Sequence, residues 1–188
     1  MALWHKLGPF TVFDLETTGL RPAHDRIIEI GAVRVEVDGT LSRFSSLINP
    51  GVPIPPMVTG ITGIRADMVK DAPKFSDVAY SFLEFVRGSK LVAHHARFDL
   101  GFMQESLARS GLELLKGGAY DSVVIIRSAY PNLPSYRLSS LCASLSLPTD
   151  EFEGQPHRAA FDAEMTMCAF SMAMKRLYEI YPEPDAHL

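Results

Sequence analysis

FTVFDLETTG, at residues 10–19, runs from apolar residues to Gly19, which permits a tight turn. Residues 10–15 are mostly apolar and rich in β-formers, which predicts a short buried strand. Side chains two apart in a strand share a face, so Asp14 and Glu16 place two carboxylates side by side. Such a pair is unfavourable beside a buried strand unless a cation neutralises it, and oxygen ligands suit Mg²⁺ or Mn²⁺. The alternative is a polar strand end whose carboxylates are solvated.

The remaining sequence predicts an α/β fold with a mixed sheet flanked by helices. Asp38-Gly39 is a strong hairpin signal between two strands, and the proline-rich segment 49–56 reads as a loop. Gly111 and Pro131 are expected to end helices. The predicted strands are 10–15, 27–37, 41–48 and 90–93, the predicted helices are 75–87, 98–110, 138–145 and 159–177, and 120–130 is a strand tip passing into a helix.

The composition limits the kind of protein. The 188 residues are 47% hydrophobic and 21% charged, which fits a single folded domain over 1–188. No apolar run approaches the roughly 20 residues that span a bilayer, so no membrane association is expected. The absence of a signal segment and the two unpaired cysteines favour the cytoplasm. A net charge of −4 argues against a tight duplex binder, but not against an enzyme that holds nucleic acid briefly.

Two further polar clusters follow. Residues 94–99 read HHARFD, where Asp99 lies near a predicted helix start and could simply complement the helix dipole. The paired histidines lack a third His or a Cys at zinc spacing. In the second cluster, His157 and Asp162 are five residues apart, about 140° of helical rotation. They converge only if His157 lies in the loop before the helix; the alternative is a surface histidine and an exposed aspartate.

These clusters, in this order, resemble the motifs of the DEDDh 3′–5′ exonucleases, which have an RNase H-like fold. DLETTG at 14–19, HARFD at 95–99 and HRAAFDA at 157–163 carry the resemblance. It implies two Mg²⁺ or Mn²⁺ ions, both of which Asp14 contacts. Glu16 and Asp162 bind one of these ions together with the attacking water, and Asp99 acts on the other ion through water. It also implies that His157 is the general base. The implied catalytic residues are therefore Asp14, Glu16, Asp99, His157 and Asp162.

Within that family the resemblance is strongest to the proofreading (epsilon) subunits of bacterial DNA polymerase III. Supporting stretches lie at 59–68 (TGITGIRADM), 120–127 (YDSVVIIR) and 138–143 (LSSLCA). His95 departs from the pattern, which has Asn there. The chain also ends at Leu188, soon after the last predicted helix, whereas epsilon-like subunits carry a further segment that tethers them to the polymerase. A stand-alone or differently tethered nuclease is therefore expected, with a polymerase subunit as one candidate partner.

The resemblance implies hydrolysis of the last phosphodiester at the 3′ end of single-stranded or mispaired DNA, releasing nucleoside 5′-monophosphates. A 3′–5′ exoribonuclease of the same family and a non-catalytic polymerase-binding module are the alternatives. Leu20, Ile61 and Phe98 could stack on nucleotides, although each could instead be a core residue. Arg21, Arg26, Arg65 and Arg97 could meet phosphates or be solvated. The candidate substrate-binding residues are Thr18, Leu20, Ile61, His95 and Phe98.

Overall fold

The computed structural model of the chain describes residues 7–180, which contain a five-stranded sheet in the order β3-β2-β1-β4-β5. β1 pairs antiparallel with β2 and parallel with β4, so the predicted mixed sheet is confirmed. The remaining pairs are antiparallel β2–β3 and parallel β4–β5. The strands are β1 (Phe10–Thr17), β2 (Ile27–Val35), β3 (Leu41–Leu47), β4 (Lys90–Ala93) and β5 (Ala119–Asp121).

Seven α-helices surround the sheet within residues 7–180. They are α1 (Pro56–Thr62), α2 (Ala66–Val69), α3 (Phe75–Val86), α4 (Ala96–Arg109), α5 (Ser122–Ala129), α6 (Leu138–Ser144) and α7 (Ala159–Ile180), and a 3₁₀ turn covers Thr149–Glu151. None of these helices is long and apolar enough to cross a membrane. Residues 182–188, which bear on the prediction about the chain ending, lie outside the described residues.

The two faces of β1 are covered by different helices. Phe10 and Val12 are buried against Phe170 and other residues of α7, whereas Phe13 packs against Phe82 of α3 on the opposite face. Because side chains alternate along a strand, Asp14 continues the row of Phe10 and Val12. The acidic residues at the end of β1 therefore face the helix that carries the third motif.

Gly31 on β2 allows α7 to approach the sheet closely. It pairs with Asp14 across the β1–β2 ladder. A Cβ at position 31 would lie 2.2 Å from the carbonyl carbon of Ala159 and 2.2 Å from the amide nitrogen of Ala160. Only glycine fits a contact this close, so the first turn of α7 lies directly over the end of β1.

The element boundaries differ from the predicted ones in a few places. β1 continues two residues beyond 15, so Asp14 and Glu16 both lie within the strand. The helices α1 and α2 were not predicted, because they are only 7 and 4 residues long. α1 starts at Pro56, inside the predicted loop; proline is well tolerated at the first helical position, where its missing N–H costs no hydrogen bond.

Candidate active site

Three carboxylates meet where the end of β1 passes beneath the first turn of α7. Asp14, Glu16 and Asp162 each offer an oxygen atom, and these atoms all lie within 4.8 Å of one another. The pleat brings Asp14 and Glu16 to the α7 face, and the ladder shifts register directly after Glu16. Such bulges are common beside active sites, where they change the direction of a side chain.

Burial and mutual repulsion favour the protonated forms of these acids. The pKa of Asp14 is raised well above its usual value, first by burial and then by Asp99, Asp162 and Glu16. Burial, followed by the charges of Asp162 and Glu29, raises the pKa of Glu16 to about 8. Burial also raises the pKa of Asp162 to about 6. Each shift means that the folded protein disfavours the ionised carboxylate unless positive charge is supplied.

Asp99 reaches the same strand from the opposite face of the sheet. It is buried in the first turn of α4, and its Oδ1 accepts a hydrogen bond from the backbone N–H of Leu15 at 3.1 Å. Leu15 lies between Asp14 and Glu16, so Asp99 fixes the backbone that carries both. Burial is the main cause that raises the pKa of Asp99. Its carboxylate is outside the group of three, although its charge reaches Asp14.

His157 lies in the loop before α7, two residues ahead of the first helical residue. Its backbone has φ = 62°, a left-handed conformation that is uncommon for residues other than glycine, although His adopts it more often than most. This turn aims the His157 backbone N–H at Oδ2 of Asp162, at 3.2 Å. The side chain is exposed at the mouth of the site. The loop position brings together two residues that a continuous helix would hold on different faces.

Glu29 is a fifth acid at this site, and it lies outside the three sequence motifs that predict the other four. It lies opposite Glu16 in the β1–β2 ladder and is only 2% exposed. Its carboxylate accepts hydrogen bonds from Arg158, with the shortest at 2.6 Å, and from the backbone N–H of Ala159 at 2.9 Å. The signal in the sequence is a charged residue between Ile28 and Ile30 in an otherwise apolar strand.

The acidic cluster fits divalent metal ions by its donors and its charge. Among residues 7–180, Asp14, Glu16 and Asp162 form no ion pair with Lys or Arg, while the nearby Arg158 is bound by Glu29. Three partly buried carboxylates with raised pKa values and no such partner can all ionise at neutral pH only when an external cation supplies positive charge. An all-oxygen donor set suits Mg²⁺ or Mn²⁺ better than the softer metals that bind Cys and His.

The candidate substrate-binding residues differ in exposure and in packing. Leu20 and Ile61 are exposed, by 81% and 52%, so the alternative that they are core residues is wrong. Phe98 packs on Phe102 with ring centroids 4.9 Å apart, which confirms its alternative as a packing residue. Thr18 is buried, and its hydroxyl accepts a hydrogen bond from the backbone N–H of Arg26.

His95 and His94 have different environments despite their adjacency. His95 is exposed and has φ = 62°, a left-handed conformation that Asn adopts more readily than most residues. His94 is half-buried, and both of its ring nitrogens have hydrogen-bond partners within the protein. His95 therefore keeps the backbone turn that Asn would make at this position, while its ring remains available at the surface.

Three of the four arginines considered for phosphate binding have protein partners. Arg21 lies 4.0 Å from Asp25, and Arg65 forms a bidentate pair with Asp67. Arg26 donates to backbone carbonyl oxygens. Arg97 is exposed, and no hydrogen bond or ion pair of its side chain is found among the described residues.

Residues 11–170 match the model of the RNase T-type exonuclease family. The chain belongs to the exonuclease family. This result confirms the resemblance drawn from the three motifs. The family model spans the sequence from β1 to α7 and includes Asp14, Glu16, Asp99, His157 and Asp162.

Individual known proteins are similar to this chain over most of its length. It is 38% identical over 169 residues to the DNA polymerase III epsilon subunit of Treponema pallidum, covering 89% of this chain and 77% of the subunit. It is also 38% identical to a PolC-type DNA polymerase III of Caldanaerobacter subterraneus, covering 92% of this chain but only 12% of that polymerase. Exonuclease X in complex with 5′ overhanging duplex DNA matches with a TM-score of 0.69 and 29% identity, over 88% of this chain and 91% of that one. The predicted RNase H-like fold is thereby confirmed.

Proposed function

We propose that this chain is a metal-dependent 3′–5′ exonuclease that releases nucleoside 5′-monophosphates from the 3′ ends of single-stranded or mispaired DNA. The observation that carries the proposal is the cluster of Asp14, Glu16 and Asp162, none of which forms an ion pair with a Lys or Arg within residues 7–180. The similarity to a polymerase III epsilon subunit and to a DNA-bound exonuclease supports DNA as the substrate.

The carboxylates would hold two Mg²⁺ or Mn²⁺ ions. Ions bound in this way lower the pKa of an attacking water and stabilise charge on the leaving 3′ oxygen. Asp14, whose pKa is raised by the charges of both Asp99 and Asp162, would contact both ions, with Glu16 and Asp162 on one of them. Asp99 would contribute through water while holding the backbone N–H of Leu15. Glu29 would act only by positioning α7, because Arg158 and Ala159 already occupy its carboxylate.

His157 would accept the proton of the attacking water. Its exposed ring can reach solvent and substrate, while its backbone N–H is held by Asp162. A neutral imidazole has one ring nitrogen with a free lone pair, which can accept a proton. The backbone hydrogen bond couples the position of this base to that of the neighbouring acid.

The terminal nucleotide would lie against the exposed apolar residues Leu20 and Ile61. Apolar side chains that remain in water in the free protein can cover the faces of an unpaired base. Thr18 and His95 would contact the sugar-phosphate near the 3′ end, and Phe98 would support them from below through its packing on Phe102. A DNA polymerase subunit is the proposed protein partner, by analogy with the epsilon subunit.

A side-by-side digestion tests the proposal. Single-stranded DNA, a primer-template with a 3′ mismatch and single-stranded RNA, each with a 5′ label, are incubated with Mg²⁺ or Mn²⁺. The proposal predicts stepwise shortening from the 3′ end of both DNA substrates and none in EDTA. Faster shortening of RNA than of DNA would support the exoribonuclease alternative instead. No shortening of any substrate would contradict the exonuclease function.

A further inference from the structure

A cavity of about 340 Å³ opens beside the acidic cluster. His157 and Asp162 form one side of it, and the segment that leads into α6 forms the other, with Arg137 and Ser139. Leu20 and Ile61, which are assigned to the terminal nucleotide, do not line it. His95, which is proposed to contact the sugar-phosphate near the 3′ end, does line it, so the cavity begins beside the proposed terminal nucleotide and extends from there to Arg137.

The guanidinium of Arg137 is an unpaired cation in this cavity. Its side chain is exposed, and no hydrogen bond or ion pair joins it to any other residue within 7–180. Asp162 lines the same cavity without pairing with it. Arg158, in contrast, is bound by Glu29. Arg137 thus keeps all of its hydrogen-bond donors available for a ligand.

The backbone of Arg137 is held in place by its neighbours. His94 donates from Nε2 to the carbonyl oxygen of Tyr136 at 2.9 Å and accepts at Nδ1 from the hydroxyl of Ser122 at 2.9 Å. The Tyr136 hydroxyl donates to the carbonyl oxygen of Tyr130 at 2.6 Å. On the other side, the carbonyl oxygen of Arg137 accepts the first hydrogen bond of α6. The position from which this cation extends is therefore fixed by the fold.

We propose that Arg137 binds a phosphate of the substrate strand on the 5′ side of the scissile bond. This inference rests on the proposed function. One cavity joins His95, His157 and Asp162 to Arg137, so a strand whose 3′ end is held beside the acids can continue through it toward Arg137. Its phosphates would be repelled by the acids unless a cation guided them, and a guanidinium matches phosphate oxygens with two parallel hydrogen bonds. The hydroxyls of Ser139 and Thr149 line the same space and can donate further hydrogen bonds.

The test compares two substrates that differ in the phosphates they carry. The p-nitrophenyl ester of thymidine 5′-monophosphate contains the scissile phosphate alone, whereas oligo(dT) contains further phosphates on its 5′ side. For Arg137→Gln we expect kcat/KM to fall about tenfold on oligo(dT), as for one charge-assisted hydrogen bond, and to stay unchanged on the ester. The slope of log(kcat/KM) against log[salt] on oligo(dT) should fall by about 0.7, the value for one contact to a single strand.

Two variants serve as controls. Arg137→Lys keeps the charge, so its salt slope should match that of the wild type. Arg87→Gln removes an exposed arginine just before β4, whose first residue pairs with Phe10 at the end of β1 away from the acids. It should change kcat/KM on neither substrate. A single neutral methylphosphonate linkage, moved along oligo(dT), should slow the wild type at the contacted phosphate and slow Arg137→Gln less at that position.

The outcomes separate this inference from the function on which it rests. If the wild type hydrolyses neither substrate with Mg²⁺ or Mn²⁺, the proposed function fails and the Arg137 assignment fails with it. If the wild type is active and Arg137→Gln degrades oligo(dT) equally well, only the assignment is overturned. An equal loss on both substrates would place the contact at the scissile phosphate and would also overturn it.

Discussion

Glu29 on β2 and Arg158, the residue before α7, form a largely buried ion pair with an Nη2–Oε1 distance of 2.6 Å. The same carboxylate accepts the backbone N–H of Ala159, so it also supplies negative charge at the start of a 22-residue helix. Asp162 and His157 lie on either side of this attachment. The pair therefore determines where the third motif sits relative to the acids of β1.

Breaking this pair should affect both stability and activity. In Glu29→Gln, Arg158 loses its counter-charge, and we expect the free energy of unfolding to fall by about 3 kcal/mol. This value is at the lower end of the range for a buried pair because Arg158 is partly exposed. Activity on single-stranded DNA should fall at temperatures where the variant remains folded. Urea unfolding and initial rates measure the two effects. Asp67→Asn removes an exposed partner of Arg65 and should leave the urea midpoint unchanged.

Gly31→Ala should displace the start of α7. The new methyl group would lie 2.2 Å from backbone atoms of Ala159 and Ala160, which cannot move without moving Asp162. We expect a loss of about 3 kcal/mol in stability and about 100-fold in kcat, the effect of roughly 1 Å misplacement. Gly60→Ala is the matched control. Gly60 lies inside α1, and a Cβ at this position would meet no atom within 4 Å. It should stabilise the protein by about 0.5–1 kcal/mol; equal effects of the two substitutions would contradict the close contact.

The metal-free protein should lose stability as the pH rises. Folding raises the pKa of Asp162 to about 6 and that of Glu16 to about 8, from about 4 in the unfolded chain. The folded state therefore binds more protons, so this contribution to stability is complete below pH 4 and is lost as the pH rises through 6 and 8. Melting temperatures in EDTA between pH 5.5 and 8.5 should fall more steeply for the wild type than for Glu16→Gln. Parallel curves would show that Glu16 does not titrate in this window.

Substitution of the proposed catalytic residues should remove nuclease activity without unfolding the protein. Asp14→Ala and Asp162→Ala should abolish digestion of DNA and leave the metal-free fold intact or slightly more stable, because each removes repulsion. The His157→Asn variant should have a kcat lower than that of the wild type by a factor of about 10²–10⁴, the range for a positioned base. Asn tolerates the φ of 62° at position 157, which makes it a better replacement than Ala. His24→Asn, an exposed control, should be fully active; wild-type rates in any of the first three variants would remove that residue from its role.

Much of this architecture could be predicted from local sequence signals. The apolar run before Asp14 and the turn at Asp38-Gly39 predict β1 and the β2–β3 hairpin, because both signals are encoded within a few residues. Alternation along β1 also predicts that Asp14 and Glu16 share a face. The resemblance of three motifs then predicts which distant acids belong together.

Features that depend on distant contacts could not be predicted in this way. Nothing near Glu29 in the sequence identifies Arg158, 129 residues away, as its partner. Leu20 and Ile61 are apolar and favour a core position, yet the loop and the short helix that carry them leave both exposed. Similarly, Arg137 is a candidate phosphate-binding residue only because it lines a cavity next to His157 and Asp162, and that cavity forms from segments far apart in the sequence.

Calorimetric titration of Mn²⁺ at pH 7 tests the acidic site most directly. In buffers of different ionisation enthalpy, the wild type should bind Mn²⁺ and release protons, because Glu16 has a pKa of about 8 and must ionise to act as a ligand. Asp14→Asn should lose this binding, and Glu84→Gln, an exposed residue of α3 paired with Arg87, should keep it. Absence of Mn²⁺ binding by the wild type, or equal binding by Asp14→Asn, would contradict a metal site built from these carboxylates.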